Sequence, residues 1–131
     1  MFDFRKVFNV ANYLSHFGGE EYSRSAISRY YYSLFGCARL YLILIMNEYE
    51  FGKGYNVHKR ICNRLKNSDD PTECSLGKRL EKLKELRNLA DYDWNEKDKE
   101  FFRKNLNYAK NETQRGLEQL DTLKKSPPYN I

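Results

Sequence analysis

Helix-breaking and metal-binding residues are scarce in this chain. Of its 131 residues, three are proline, three are cysteine and one is tryptophan. Two of the prolines, Pro127 and Pro128, lie near the C-terminus, so few residues upstream of them interrupt a helix. Cys37, Cys62 and Cys74 are odd in number and lack Cys-x-x-Cys spacing, which argues against a disulfide framework and a zinc site. We therefore expect reduced thiols, no bound metal and no cofactor.

Long apolar runs are also missing. The longest, LYLILIM at 40–46, is far shorter than the roughly 20 residues that a transmembrane helix needs. The first residues, MFDFRKVF, lack both an uninterrupted apolar core and a small-residue cleavage site, so they predict no signal peptide. We therefore expect a cytoplasmic protein that does not enter the membrane.

Aromatic and basic residues, by contrast, are abundant, with 11 tyrosines, 8 phenylalanines and a net charge of +5. Hydrophobic residues make up 40% of the chain and charged residues 31%, a balance typical of folded globular proteins. The length fits one domain, which we place at residues 1–125, followed by a flexible tail at 126–131. The positive charge favours a polyanionic partner such as nucleic acid, although helical proteins of this charge also occur without one.

No stretch alternates polar and apolar residues with period two, so the sequence predicts an all-α protein. A first amphipathic helix ends at the Gly18-Gly19 pair, a long second helix spans about residues 21–48, and a short third helix spans about 57–67. The second helix is apolar over most of its circumference, which is typical of a central helix or of one that also contacts a second subunit.

Two further helices complete the predicted fold. Asp70 can cap the fourth helix, Pro71 suits its first position, and Glu73 follows three residues after the cap. This helix is expected to end near residue 91. The last helix is predicted to begin at Asn95 and to bury one seam of small and apolar residues. The expected architecture is an all-α, up-and-down bundle of four main helices plus one short helix.

Apolar residues outside the main stripe of the second helix predict a dimer. Tyr30, Phe35, Leu42 and Leu44 add apolar surface to other sides of this helix. Such a surplus exceeds what a four-helix core covers from one side. We therefore expect a homodimer that forms through the second and fourth helices.

Arg87 occupies a position where the fourth helix should bury a leucine. Leu76, Leu80 and Leu83 share one helical face, and the next step along that face is Arg87. One interpretation is a functional cation on the buried stripe, close to Asp91. The other is a helix that rotates near its end, so that Arg87 pairs with Asp91 at the surface. That pair opposes local preference, because the carboxylate follows the arginine and lies near a helix C-terminus.

Two segments, SAISRYYYSLFGCARLYL at 25–42 and LRNLADYD at 86–93, carry a resemblance to a known family. Together they resemble the HEPN family of small helical-bundle proteins, over most of the chain. The chain is similar in particular to short prokaryotic members whose genes often neighbour a minimal nucleotidyltransferase. The resemblance implies a dimer in which the fourth helices meet, and a metal-independent ribonuclease that acts as a toxin or phage-defence effector. It also implies a nucleotidyltransferase antitoxin as a partner.

The resemblance assigns catalytic roles to the end of the fourth helix. The usual HEPN motif has a polar residue and an arginine, followed a few residues later by a histidine. Arg87 and Asn88 match its first part, whereas Asp91 stands near the place of the missing histidine. We expect Arg87 to stabilise the transition state and Asn88, Asp91 and Tyr92 to complete the site. Tyr92 also resembles the tyrosine that the partner enzyme modifies with AMP, unless its ring only packs against the last helix.

Three more residues are candidates for binding RNA or a nucleotide. Arg29 and Tyr30 on the second helix suit a pocket wall near Arg87, and tyrosine rings can stack on bases. His58, at the start of the third helix, is the alternative general base, although a histidine in such a position is often only an exposed residue. Two hypotheses therefore stay open: a ribonuclease, or a non-catalytic dimeric module that binds a nucleotide, RNA or a nucleotidyltransferase.

Overall fold

Six α-helices and no β-strand make up the part of the chain that the computed structural model describes, residues 1–96 and 98–125. In chain order they are α1 (Arg5–Ser15), α2 (Glu20–Leu40), α3 (Val57–Lys66), α4 (Pro71–Tyr92), α5 (Phe101–Lys104) and α6 (Leu106–Lys125). The prediction of an all-α protein is confirmed. None of these helices is long and apolar enough to cross a membrane. The predicted tail at 126–131 lies outside the described residues.

The central helix of the bundle is α2, which packs against α1, α4 and α6. The other long helix, α4, also packs against α3 and α6. Buried residues cover more than one side of α2, including Ala26, Tyr30, Tyr31 and Ala38. A helix with apolar residues on several sides is stable only when other helices surround it, which explains its central position.

The start of α4 agrees with the prediction. The Asp70 carboxylate accepts hydrogen bonds from the backbone N–H groups of Thr72 at 2.8 Å and Glu73 at 3.0 Å. Pro71 takes the first helical position, where its missing N–H group costs nothing. The cap therefore satisfies donors that have no partner inside the helix.

Glu73 is buried instead of folding back on the cap. It is 4% exposed and accepts hydrogen bonds from Tyr41 at 2.5 Å, Ser68 at 2.6 Å and Arg64 at 3.0 Å. Arg64 also binds both carboxylate oxygens of Glu48, at 2.6 and 2.7 Å. Burial favours the neutral acid, but the hydrogen bonds outweigh it and hold the pKa of Glu73 below its usual value. This network ties the end of α2 to α3 and α4.

The second helix ends earlier than predicted. After Leu40 the chain forms a π-helical turn, Tyr41–Ile45, and not an α-helix as far as residue 48. Asn47 then adopts a left-handed conformation with φ of +57°, and the N–H group of Glu48 donates to the Leu42 carbonyl at 2.9 Å. A left-handed asparagine is a common way to end a helix, and the apolar pattern does not reveal it.

The last helix begins later than predicted. Asn95 does not cap it; the chain first forms the short helix α5 and starts α6 only at Leu106. The break is held by the Asn105 side chain, which donates to the Phe101 carbonyl at 2.7 Å. Asparagine competes for backbone groups in this way, so a continuous apolar seam does not guarantee a continuous helix. The seam itself is largely buried, at Phe102, Ala109, Thr113, Gly116, Leu120 and Leu123.

The apolar surplus of the second helix is covered within one chain. Tyr30 and Leu42 are 0% exposed and Phe35 is 4% exposed, so only Leu44, at 50%, faces solvent. Phe8 of α1 packs against Tyr30, and His58 of α3 stacks on Phe35. The argument that these side chains require a second subunit is therefore wrong. The homodimer stays a prediction that rests on the HEPN resemblance.

We expect Gly77→Ala to lower the free energy of unfolding by about 1–3 kcal/mol, because α3 and α4 are in close contact at this position. A Cβ added at Gly77 would lie 2.6 Å from the backbone nitrogen of Lys66 and 2.9 Å from the Leu65 Cβ. The gain in helix propensity, about 1 kcal/mol, offsets only part of this cost. Thermal unfolding measures the change. Gly18→Ala is the control, because a Cβ there has nothing within 4 Å; equal losses in both variants would contradict the close contact.

Candidate functional site

Arg87 lies on the buried stripe of α4. Leu76, Leu80 and Leu83 on this stripe are at most 1% exposed, and Arg87 is 7% exposed. Its Nη1 atom lies 3.7 Å from Oδ2 of Asp91, one turn further along the helix. Arg87 therefore stays on the buried stripe and pairs with Asp91 from there, so the interpretation that the helix rotates Arg87 to the surface is wrong.

Two tyrosines of α2 enclose the Arg87 guanidinium. Its central carbon lies 5.1 Å from the centre of the Tyr31 ring and 5.2 Å from that of Tyr32, within the range of cation–π interactions. Nη1 donates a hydrogen bond to the Tyr32 hydroxyl at 3.2 Å. Ser28 donates to the Asp91 carboxylate at 3.3 Å, so α2 contacts both members of the ion pair.

One nitrogen of the buried guanidinium has no hydrogen-bond partner among the described residues. Within residues 1–96 and 98–125, no group accepts a hydrogen bond from Nε of Arg87. A buried donor left in this state costs roughly 1–3 kcal/mol, and more when it belongs to a charged group. Buried polar groups are normally satisfied, so such an exception calls for a reason. A ligand oxygen placed next to Nε of Arg87 would accept this remaining hydrogen bond.

His58 of α3 is connected to Arg87 through Tyr31. The Nδ1 atom of His58 lies 2.7 Å from the Tyr31 hydroxyl, and the imidazole stacks on Phe35 with ring centres 3.9 Å apart. Burial, together with the positive charges of Arg87 and of two further cationic side chains, lowers the pKa of His58 to about 4. The imidazole is therefore neutral at pH 7.

Tyr31, Tyr32, His58, Arg87 and Asp91 together form one constellation, which we call the Arg87 cluster. Burial raises the pKa of Tyr31 well above its usual value, and the nearby charge of Arg87 only partly offsets this rise. The Tyr31 hydroxyl therefore keeps its proton. A buried cation next to a neutral imidazole and two phenols can bind an oxyanion and exchange a proton with a bound substrate.

The other predicted site residues lie outside the Arg87 cluster. Arg29 is exposed, whereas Tyr30 is fully buried and donates to the Asn12 side chain of α1 at 2.5 Å. Asn88 is exposed and lines a cleft of about 290 Å³ between α3 and α4. Tyr92 is 68% exposed, so the interpretation that its ring packs against the last helix is wrong. The tyrosines that contact the guanidinium are the two that follow Tyr30 in the sequence.

Tyr31, Tyr32 and Ser28 were not among the site residues predicted from the sequence. Tyr31 shares the buried stripe of α2 with Ile27 and Leu34 and is 0% exposed, so packing is part of its role. Its contact with Arg87 has a signal in the sequence, because residues on the inward stripes of two neighbouring helices face each other. Ser28 has no such signal, since a serine in the middle of a helix is more often merely exposed.

A second arginine of α2 holds the end of α4. Nη1 of Arg24 donates to the carbonyls of Leu89 at 3.4 Å and Ala90 at 3.1 Å, and its guanidinium lies 4.2 Å from the centre of the Phe102 ring. Carbonyls in the last turn of a helix lack partners within the helix and attract cations. Arg24 thereby keeps the turn that carries Asp91 against α2.

His58 makes stability depend on pH. The pKa of a histidine is 6.5 without perturbation and about 4 for His58 in the folded chain. As the pH falls between these values, the unfolded chain binds a proton that the folded chain does not, so stability is lost. With allowance for solvent screening we expect a loss of about 1–2 kcal/mol, and a melting temperature roughly 5–10 °C lower at pH 5 than at pH 7.

His58→Phe is the matched variant for this measurement, because a phenyl ring keeps the stacking on Phe35 and does not titrate. Its melting temperature should change much less over the same range of pH. His16, the other histidine, is present in both proteins and cancels in the comparison. An equal pH dependence of the two proteins would contradict a lowered pKa at His58.

Residues 1–96 and 98–125 contain no group of three His, Cys, Asp or Glu side chains that could hold a metal ion. Comparisons of the chain with protein-family models, with curated proteins and with solved structures found no match. The HEPN resemblance therefore stays a prediction that rests on two sequence segments, and function has to be argued from the Arg87 cluster.

Proposed function

We propose that this protein is a metal-independent ribonuclease of the HEPN kind, an RNA-targeting toxin or phage-defence effector built on an up-and-down bundle of four main helices. The observation that carries the proposal is the burial of Arg87 between two tyrosine rings, linked through Tyr31 to a neutral His58. Local rules of folding disfavour a buried cation with an unpartnered N–H group, and such departures are expected at functional sites. An RNA phosphate is a ligand that would supply the missing acceptor.

Arg87 suits the charge that develops when RNA is cleaved without a metal. The 2′-oxygen attacks the adjacent phosphorus and the 5′-oxygen leaves, which yields a 2′,3′-cyclic phosphate and a 5′-hydroxyl. Negative charge accumulates on the phosphorane between these steps. A guanidinium held in a water-poor position stabilises that charge without reorganisation, an effect typically worth roughly 100- to 1,000-fold in rate.

His58 is the candidate base in this scheme. Because burial and the nearby cations lower its pKa to about 4, the imidazole is unprotonated at neutral pH and can accept the proton of the 2′-hydroxyl. This role requires the tautomer in which Nδ1 donates to the Tyr31 oxygen and Nε2 keeps its lone pair for the substrate. The proton then passes from Nε2 to the leaving 5′-oxygen, which returns the imidazole to its neutral form. Tyr31 is a positioning residue for His58.

Three further residues of α4 take supporting roles. Asp91 pairs with the Arg87 guanidinium at 3.7 Å and limits its orientations. Asn88 and Tyr92 are exposed and four residues apart, so they share a helical face on which RNA would lie. In the expected homodimer a second α4 would contact the same RNA. A nucleotidyltransferase antitoxin would block the site by transferring AMP from ATP to the Tyr92 hydroxyl, with release of pyrophosphate.

A non-catalytic module that binds RNA or a nucleotide is the second candidate. One observation favours it: Nδ1 of His58 contacts a Tyr31 hydroxyl whose proton burial retains. If that hydroxyl donates to Nδ1, the proton of the neutral imidazole lies on Nε2. His58 then donates a hydrogen bond but accepts no proton from RNA. The Arg87 cluster would bind a phosphate without cleaving the strand.

Arg87→Met should reduce cleavage of single-stranded RNA by roughly 100-fold or more, because methionine fills the buried space but carries no charge. Initial rates on a labelled oligonucleotide in the presence of EDTA test the arginine and the metal independence together. Arg115→Met is the matched control, since Arg115 is exposed on α6 and pairs with Glu112 at 3.4 Å. Melting temperatures of both variants are measured alongside the rates.

Two outcomes would contradict a ribonuclease that acts through the Arg87 cluster. Cleavage that survives in a folded Arg87→Met protein would mean that the reaction does not use the Arg87 cluster. RNA binding without cleavage by the unaltered protein, lost in Arg87→Met, would instead support the non-catalytic module.

Light scattering at micromolar concentration should give twice the chain mass of 15.7 kDa, because the proposal places two copies of α4 on one RNA. The apolar side chains exposed at and just after the end of α4 are Leu89, Tyr92 and Trp94, at 39%, 68% and 86%. Trp94→Ser should shift the equilibrium towards the monomer. A monomeric unaltered protein would remove the two-fold arrangement from the proposal.

A further inference from the structure

A second cleft lies at the end of the bundle where α1 is followed by α2. It has a volume of about 400 Å³ and opens between the end of α1 and the region of α5 and α6. His16, Phe17, Arg103 and Lys110 are among its lining residues. Its volume lies within the range of sites that hold small ligands, and it shares no lining residue with the Arg87 cluster.

Phe17 connects this cleft to two further exposed rings. It stacks on Tyr22 with ring centres 4.8 Å apart and planes inclined by 30°, and it meets Tyr13 edge-on at 5.2 Å. Tyr13 is 64% exposed, Tyr22 40% and Phe17 38%. Exposed rings in a fixed arrangement are a typical stacking platform for unpaired bases, since every base has a π-face.

The residues that line the cleft carry positive charge and no carboxylate. Lys110 has no ion-pair partner in the described ranges 1–96 and 98–125. Arg103 pairs with Glu100, but both side chains are exposed, so a phosphate can compete for the guanidinium. Other surface clefts, such as those near Asp3 and Glu73, contain acidic side chains. The cleft beside Phe17 is therefore suited to an anion.

From this combination we propose that the cleft binds a nucleotide unit of single-stranded RNA, with its base on the rings of Tyr13, Phe17 and Tyr22 and its phosphate at Lys110 and Arg103. Stacking on aromatic rings next to a cationic groove is how proteins hold single strands without reading sequence. The aromatic and charge arguments do not depend on catalysis. The choice of RNA over a free nucleotide rests on the proposed function.

The cleft and the Arg87 cluster lie towards the same end of the bundle. Arg24 in the first turns of α2 bonds the last carbonyls of α4, and the Phe102 ring beneath it belongs to α5. The residue after Phe102, Arg103, lines the cleft. A strand bound in the cleft would therefore lie at the end of the bundle that also carries Arg87.

Fluorescence anisotropy with a labelled single-stranded RNA oligonucleotide tests this proposal. Lys110→Glu and Tyr13→Ser should each weaken binding by roughly tenfold, because the first reverses a charge and the second removes an exposed ring. Lys78→Glu and Tyr49→Ser are the matched controls, since Lys78 is exposed on α4, Tyr49 is 67% exposed, and neither lines the cleft. Both controls should bind RNA as the unaltered protein does.

Equal affinities in the cleft variants and in the controls would overturn the proposal. Displacement of the RNA by micromolar adenosine monophosphate would assign the cleft to a free nucleotide and overturn the choice of RNA. The proposed function fails on a different result. If the unaltered protein binds RNA through the cleft but never cleaves it, the ribonuclease is wrong and the RNA-binding cleft stands.

Discussion

The burial of one guanidinium between α2 and α4 constrains how the two longest helices of this bundle pack. A charge on an inward helical face is costly unless aromatic faces, hydrogen bonds and a counter-ion replace the lost water. α2 meets most of this requirement, since Tyr31 and Tyr32 enclose Arg87 and Ser28 holds its counter-ion Asp91. The packing of the two long helices and the chemistry of the site therefore depend on the same contacts.

A second buried charge, the carboxylate of Glu73, has all of its hydrogen bonds satisfied within the fold. Glu73 is 4% exposed and accepts hydrogen bonds from Tyr41, Ser68 and Arg64, so both carboxylate oxygens have partners. Arg87 is buried almost as deeply, at 7%, yet its Nε has no partner in the described part of the chain. Because buried polar networks are stable when complete and costly when incomplete, the difference separates a structural charge from one suited to a ligand.

A local capping signal in the sequence does not by itself determine where a helix begins. Asp70 caps α4 as predicted, whereas Asn95, with similar chemistry, caps no helix, because α5 and the Asn105 turn intervene. Leucine spacing places Arg87 on the inward stripe of α4 but does not exclude a rotation of the helix end that would expose it. Tyr31 lies on the inward stripe of α2, so the spacing makes a contact with Arg87 possible, but which residues meet depends on how α2 is rotated against α4. His58 lies 27 residues from Tyr31, and no local pattern predicts that contact.

The charge of Arg87 affects the protonation of His58 within the Arg87 cluster. After burial, the positive charge of Arg87 is the next cause of the low pKa of His58. An anion bound to Arg87 cancels part of that charge, so binding of a phosphate raises the pKa of His58. By reciprocity, protonation of His58 strengthens anion binding by the same factor. In the proposed ribonuclease the imidazole is thus neutral in the free protein. Its basicity rises when the RNA phosphate binds at Arg87, which is when it has to accept the proton of the 2′-hydroxyl.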